Sequence, residues 1–103
     1  MLRLPQSLST QLSRDAGPSA LEREILGEKA ASLGRAGRLV ETALGDLNNF
    51  CGASGERPRI VQRAADAVHA YFVQRELCGL PNHDAPIMDY AIPAEVLARV
   101  GAR

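Results

Sequence analysis

Five residues with chemically active side chains lie close together in the last third of the sequence. They are Arg75, Glu76, Cys78, His83 and Asp84. Thiolate, imidazole and carboxylate groups are all ligands that proteins use for Zn²⁺. The segment from residue 71 to residue 90 is therefore where we would expect a ligand- or metal-binding site, or the active site of an enzyme, if the chain has one.

The spacing of these residues is not that of an established metal motif, since neither a Cys-x-x-Cys nor a His-x-x-x-His pair accompanies them. Asn82, His83 and Asp84 stand between Pro81 and Pro86, and Asn and Asp side chains commonly form turns by bonding to the nearby backbone. We therefore interpret this stretch as a turn rather than a metal site. The sequence indicates no metal ligand and no cofactor.

Cys78 and His83 also combine a nucleophile with a base. The sequence shows neither a third residue that would orient the histidine nor a loop that would stabilise an oxyanion. No catalytic residue is assigned, and the sequence favours a non-enzymatic function without deciding the question.

A long apolar repeat provides the framework for these residues. Between Ser19 and Gly52, small or apolar residues recur at alternating steps of four and three, which places them on one stripe of an α-helix. Ser19 and Glu22 have the spacing of a capping box, and Gly52 is suited to ending the helix. Gly34 and Gly37 each cost about 1 kcal/mol in a helix interior, but the stripe keeps its phase across them, so one continuous helix is predicted. The stripe consists of Leu26, Ala30, Leu33, Gly37, Val40, Leu44, Leu47 and Cys51.

A second helix is predicted from about Pro58 to Cys78, because proline suits a first helical turn and Gly79 suits a helix end. The short connection returns this helix along the first as an antiparallel hairpin, with Gly37 opposite Phe72. The predicted apolar face consists of Ile60, Val61, Ala64, Ala65, Val68, Tyr71 and Phe72.

The C-terminal segment is predicted to contain a short helix that begins after Pro93 and is closed by Gly101. The first third of the long helix has no partner in the hairpin, so we expect this segment to fold over it, within the chain or across a dimer. The predicted fold class is thus all-α: an antiparallel hairpin of one long and one medium helix plus a short C-terminal helix, assembled as a dimeric helical bundle.

Residues 1–18 are predicted to form a flexible N-terminal arm, and residues 19–103 a single helical domain. The leader contains Arg and Ser and no acidic residue before Asp15, so it also resembles a mitochondrial presequence. The segment is short and carries only two Arg, which favours the arm.

The charge balance argues against a nucleic acid or a membrane as partner. Lys plus Arg equal Asp plus Glu at 12 each, so no net field attracts phosphate backbones or anionic lipids. No apolar run approaches the roughly 20 residues that span a bilayer. Cys51 and Cys78 lie at opposite ends of the predicted hairpin, beyond disulfide reach, which indicates reduced thiols and a cytoplasmic location.

Protein association is the predicted function. The chain has two Phe, two Tyr and no Trp, so its core is thin, and small cores are often supplemented by oligomerisation. We expect a homodimer, or an unidentified protein partner, to use the unpartnered part of the first helix. A monomer, in which the small residues accommodate the chain's own tail, is the alternative. The predicted interaction surface consists of Leu21, Ile25, Leu26, Ala30, Leu33 and Gly34.

Four segments carry a resemblance that extends over residues 19 to 101: Tyr71–Leu80, Asp89–Gly101, Leu21–Ala30 and Leu33–Gly37. Together they resemble a family of short bacterial, mostly proteobacterial, helical proteins of unknown function. The resemblance implies a bacterial, cytoplasmic, helical protein and weighs against a presequence. It implies no activity and no site residue.

Overall fold

The computed structural model describes residues 19–102, and within that range the regular structure is helical, without strands. The α-helices are α1 (Ala20–Asn48), α2 (Arg57–Leu77), α3 (Asp84–Asp89) and α4 (Ala94–Leu97), and a 3₁₀ turn, Ser54–Glu56, precedes α2. The predicted all-α class is confirmed. The described residues belong to two compact units, one ending at Ala30 and one beginning at Ala31. The predicted arm over 1–18 lies outside the described residues, and the single domain over 19–103 stays a prediction.

Helix α1 begins with the predicted capping box. The backbone N–H of Glu22 donates to Ser19 Oγ at 3.2 Å, and the backbone N–H of Ser19 donates to Glu22 Oε2 at 3.3 Å. Each residue thus satisfies a backbone amide of the other at the helix start. The helix then continues through Gly34 and Gly37, as predicted from the unbroken phase of the apolar stripe.

The predicted end of α1 was wrong by three residues. The helix ends at Asn48, and Cys51, expected as the last buried position, is exposed. Gly52 does not adopt the left-handed conformation expected of it. A Cβ at Gly52 would lie 2.9 Å from the ring of Phe50, so the glycine is needed here for the close approach of an aromatic ring.

Helix α2 ends in a Schellman motif at the predicted place. Gly79 has a φ of 81°, a left-handed conformation that glycine adopts without a Cβ clash. The N–H of Gly79 donates to the carbonyl of Glu76 at 3.0 Å, and the N–H of Leu80 donates to the carbonyl of Arg75 at 2.9 Å. These two bonds satisfy carbonyls that the end of the helix leaves without intrahelical partners.

The hydrophobic core belongs to the unit that begins at Ala31. Its members come from three parts of the chain, and the predicted buried face of α2 is largely confirmed. Ala64 and Ala65 are fully buried yet small, so further apolar side chains are needed to fill the space around α2. The buried apolar residues are Val40, Ala43, Leu44 and Leu47 of α1, Val61, Ala64, Ala65, Val68 and Tyr71 of α2, and Ile92 and Val96 of the C-terminal segment.

The C-terminal segment supplies part of this core, a position that was not predicted. Ile92 and Val96 are buried in the cluster and α4 contacts α2. The expected cover of the first third of α1, within the chain or across a dimer, stays a prediction. Its connection to α2 is strengthened by Arg57, whose Nη1 and Nη2 donate to the two carboxylate oxygens of Glu95, each at 2.6 Å. A bidentate pair of this kind fixes orientation as well as distance.

Gly37 faces tyrosines rather than the predicted Phe72. A Cβ at Gly37 would stand 2.7 Å from the hydroxyl of Tyr90 and 3.6 Å from the ring of Tyr71. Tyr71 is 8% exposed, while Phe72 is only partly buried. The predicted neighbour of Gly37 was therefore wrong by one residue, and the prediction did not include Tyr90, which the C-terminal segment brings to the same place.

Helix α3 was not predicted, although the turn before it was. The backbone N–H of Asp84 donates to Asn82 Oδ1 at 2.8 Å, which is the side-chain-stabilised turn expected there, and α3 begins at its end. The helix closes in a second Schellman motif, since the N–H of Ile92 donates to the carbonyl of Ile87 at 3.0 Å and Ala91 has a φ of 51°.

Candidate functional site

Three of the five residues predicted as a ligand cluster meet around the ring of His83. Arg75 Nε donates to His83 Nδ1 at 3.2 Å, and His83 Nε2 lies 3.2 Å from Glu76 Oε1. Because Nδ1 accepts a hydrogen bond from a permanent cation, the proton of the neutral ring belongs on Nε2, where it is donated to Glu76. Both ring nitrogens of His83 are therefore engaged within the protein.

The ring of His83 also stacks on Phe72, with a centroid separation of 4.1 Å and an interplanar angle of 3°. The side chain of Arg75 donates through Nη2 to the carbonyl of Asn82 at 2.7 Å. Its guanidinium carbon stands 6.0 Å from the centre of the Tyr71 ring. Stacking and hydrogen bonding together hold the loop before α3 against the end of α2.

The other two residues of the predicted cluster have different surroundings. Cys78 is the C-cap residue of α2 and is partly buried, and Asp84 is exposed at the start of α3. Cys51 and Cys78 are not joined in a disulfide. Among residues 19–102, no three His, Cys, Asp or Glu side chains are placed to hold one metal ion together.

An open groove of about 640 Å³ lies beside Arg75, a feature that the sequence did not reveal. Glu41 and Gly45 of α1 contribute to its lining, as do Asp89 and Tyr90 after the turn. These residues are far apart in sequence and no shared motif connects them. Only the packing of the C-terminal segment brings them together.

The surroundings of Tyr90 in this groove raise the pKa of its hydroxyl. Burial of Tyr90 raises its pKa above the ordinary value, and a hydrogen bond with Tyr71 and the nearby charges of Glu41 and Asp89 raise it further. The two tyrosine rings meet edge to face, with centroids 5.6 Å apart and an interplanar angle of 90°. The Tyr90 hydroxyl thus loses its proton less readily than that of a solvent-exposed tyrosine.

The predicted interaction surface on α1 separates into an exposed and a partly buried portion. Leu21, Ile25 and Leu26 are 66%, 48% and 55% exposed. Ala30 is also exposed, and these four residues are called the N-terminal face below. Leu33 packs partly against the core, and Gly34 is exposed, with Arg38 Nη1 3.5 Å from its Cβ position. Large exposed aliphatic side chains on one helix segment are typical of an interaction site.

The chain belongs to a family of unknown function (DUF6665), which matches residues 2–103. Family membership thus confirms the expected relationship to proteins of unknown function and assigns no activity to the cluster or to the groove. Neither a curated protein nor a solved structure matches the chain. In the part of the chain that the structure describes, none of the helices combines the length and the apolar character needed to cross a bilayer.

Proposed function

We propose that this chain acts by association with another protein surface, as a homodimer or as an accessory partner, rather than by catalysis. The observation that carries the proposal is the N-terminal face, where Leu21, Ile25 and Leu26 are about half exposed or more. Burial of such side chains stabilises a complex by removing apolar surface from water. A function that uses only polar side chains would not explain why three large aliphatic residues lie exposed within six positions of a helix.

The expected association is weak and reversible. Full burial of a Leu or Ile side chain is worth about 1.5 to 3 kcal/mol, so three half-exposed ones supply about 2 to 5 kcal/mol from one copy. Complex formation costs an estimated 4 to 15 kcal/mol because the partners lose translational and rotational freedom. The helix from residue 20 to residue 30 is only about 16 Å long, which limits the contact area. Two copies together supply about 4 to 10 kcal/mol, which exceeds the lowest cost by at most about 6 kcal/mol, so association is expected only at tens of micromolar or higher concentration.

We further propose that α1 and α2 form the antiparallel hairpin of a dimeric helical bundle. Gly37 lies about 17 Å before the end of α1 and Tyr71 about 21 Å after the start of α2, at 1.5 Å per residue. The Tyr71 ring is nevertheless 3.6 Å from the Cβ position at Gly37. Gly37 and Tyr71 are thus at similar distances from the connection between α1 and α2. Residues at similar distances from a short connection come into contact when the two helices run in opposite directions.

Sedimentation velocity of the full chain over a range of micromolar concentrations tests the proposal. The wild type should show reversible association, and Leu21→Ser combined with Leu26→Ser should abolish it. Leu39→Ser is the matched control, because Leu39 is a 63% exposed leucine on the same helix outside the N-terminal face. The control should associate like the wild type.

If the chain stays monomeric, the accessory-partner form is tested by affinity capture with the same variants. A partner that the wild type and Leu39→Ser retain, and that the Leu21→Ser/Leu26→Ser variant loses, supports the proposal. A chain that neither self-associates nor retains any partner through the N-terminal face would contradict it.

A second candidate function, binding of a small organic cation, is favoured by the groove beside Arg75. Glu41 and Asp89 both line it, next to the aromatic side chains of Tyr71 and Tyr90, and their two negative charges exceed the one positive charge of Arg75, which lines it as well. Carboxylates and aromatic rings together suit an alkylammonium ion. Titration with n-butylammonium chloride should shift the NMR signals of Tyr90, and Glu41→Gln should weaken the effect. Equal shifts with Glu41→Gln and with wild type would exclude this function.

A further inference from the structure

We infer that the partner of the N-terminal face is a second copy of this chain, paired with the first in antiparallel orientation along α1. This inference rests on the proposed association and specifies its partner and its geometry. It follows from the order of charges around the apolar centre of the face. The charged residues concerned, Glu22 and Lys29, are both exposed.

Glu22 and Lys29 are seven residues apart, so they lie on nearly the same side of α1, about 10 Å apart along the axis. Ile25 and Leu26 lie between them along the helix and on either side of the line that joins them, within about 60° of it at 100° per residue. Glu22, the apolar pair Ile25 and Leu26, and Lys29 therefore follow one another along this side of α1 as an acidic end, an apolar centre and a basic end.

This order makes the face complementary to itself only in the antiparallel orientation. A two-fold axis through the midpoint between Ile25 and Leu26 places Glu22 of each copy opposite Lys29 of the other and joins the apolar centres. The interface is then isologous, as in most protein dimers. A parallel pair would instead set Glu22 against Glu22 and Lys29 against Lys29, and like charges in direct opposition are unfavourable.

The charges select the arrangement, and the apolar centre supplies the attraction. Lys29 already interacts within its own chain, but interactions of an exposed charged side chain are weak and are exchanged at little cost. The pairing is thus compatible with contacts that Lys29 makes in the single chain. It also predicts that dimerisation weakens at high salt, because exposed charge pairs are screened.

A charge-exchange experiment on the full chain tests the inference. Glu22→Lys and Lys29→Glu each turn both intermolecular pairs into like-charge pairs, so each variant alone should dimerise roughly tenfold more weakly than wild type. An equimolar mixture of the two variants restores opposite charges at both pairs. Sedimentation equilibrium should therefore show a heterodimer about as stable as the wild-type dimer.

Glu22→Lys also removes the carboxylate that accepts the Ser19 N–H. The mixture controls for this loss, because the cap remains broken in it while the intermolecular pairs are restored. Circular dichroism of each variant reports whether the helix is retained. Recovery of dimerisation on mixing thus reports the charge pairing alone.

Two results would overturn the inference, and they differ in their consequence for the proposed function. If the wild type dimerises through Leu21 and Leu26 but mixing restores nothing, the antiparallel pairing is wrong while association through the face stands. If the wild type remains monomeric yet binds another protein in a manner that Leu21→Ser/Leu26→Ser abolishes, the partner is not a second copy. If Leu21→Ser/Leu26→Ser dimerises and binds other proteins as the wild type does, the proposed function itself is wrong.

Discussion

The hydroxyl oxygen of Tyr90 lies only 2.7 Å from the point where a side chain at Gly37 would begin. The ring of Tyr71 stands edge-on to the ring of Tyr90 and approaches the same point to 3.6 Å. Helix α1, helix α2 and the residue that follows α3 therefore meet at a position where α1 has no side chain. The glycine is retained in the helix interior for packing, despite its low helix propensity.

Replacement of Gly37 by alanine tests this packing. Gly45 on the same helix has no atom within 4 Å of its Cβ position, so Gly45→Ala should raise the free energy of unfolding by up to about 1 kcal/mol. Gly37→Ala should be less stable than Gly45→Ala by about 1 to 3 kcal/mol, because Tyr90 must move. Urea unfolding measures the free energy of unfolding of both variants. If the two variants are equally stable, the close contact is not present in solution.

Titration of Tyr90 should reveal its surroundings. In a Tyr71→Phe background Tyr90 is the only tyrosine, and its absorbance should report a pKa above the ordinary value of 10.0, because burial disfavours the phenolate. Glu41→Gln should bring that pKa down, since it removes a nearby negative charge. The folded state holds this proton more tightly than the unfolded state, so stability should fall as pH rises from the unfolded to the folded pKa. No change with Glu41→Gln would place that carboxylate away from the phenol.

The pair between Arg57 and Glu95 should make stability depend on acidic pH. The hydrogen bond from Arg57 lowers the pKa of Glu95, slight desolvation of the carboxylate opposes this, and the charges of Arg57 and Arg99 lower the pKa further. A depressed carboxyl pKa stabilises the folded state fully above the unfolded pKa, and this contribution is lost as pH falls through the folded pKa. The thermal midpoints of wild type and Glu95→Gln should therefore differ at neutral pH and converge in acid. In an Arg57→Gln background the Glu95→Gln change should have little effect at any pH.

Ala91 should be improved by glycine. Its φ of 51° is left-handed, a conformation that costs an L-residue roughly 1 to 2 kcal/mol. Ala91→Gly removes this strain but adds unfolded-state entropy, so a net gain in stability of up to about 1 kcal/mol is expected. Ala98, with a φ of −62°, is the control, and Ala98→Gly should lower stability by about 0.5 to 1 kcal/mol. A loss of stability at both sites would contradict the left-handed backbone at Ala91.

His83 should carry its proton on Nε2 when neutral. Arg75 Nε can only donate, so His83 Nδ1 must accept. Long-range ¹H–¹⁵N NMR distinguishes the two tautomers, and exposed His69 provides an internal comparison. Arg75→Met should reduce the preference of neutral His83 for the tautomer protonated on Nε2 and leave the tautomer ratio of His69 unchanged. A protonated Nδ1 in the neutral ring would exclude the contact with Arg75.

Helices α1 and α2 could be predicted because their signals are local and repeated. The capping box at Ser19, the apolar stripe through Val40 and Leu47, and the stop at Gly79 each depend on a few neighbouring residues. Helix α3 could not, because it has six residues and includes Pro86, and its left-handed end falls on Ala91 rather than on the glycine or asparagine that indicates such ends.

The candidate site could be predicted only as a neighbourhood. Arg75, Glu76 and His83 lie within eight positions of one another in sequence, so their proximity was foreseeable, but the use of both His83 nitrogens depends on the exact path of the loop. The groove depends on Glu41 and Asp89, which are almost fifty positions apart. Residues so distant are brought together only by the packing of the C-terminal segment against the two long helices.

The turn between α2 and α3, residues 78–83 and called the corner below, affects the order in which the chain folds. The carbonyl of Arg75 receives the N–H of Leu80, and its guanidinium binds Asn82 and His83, so all the partners lie within eight residues. Contacts of such short separation close with little loss of loop entropy, whereas the pairing of distant segments is slower. We expect the corner to form with α2 in the folding transition state and to direct the C-terminal segment back along α2 before Ile92 and Val96 reach the core.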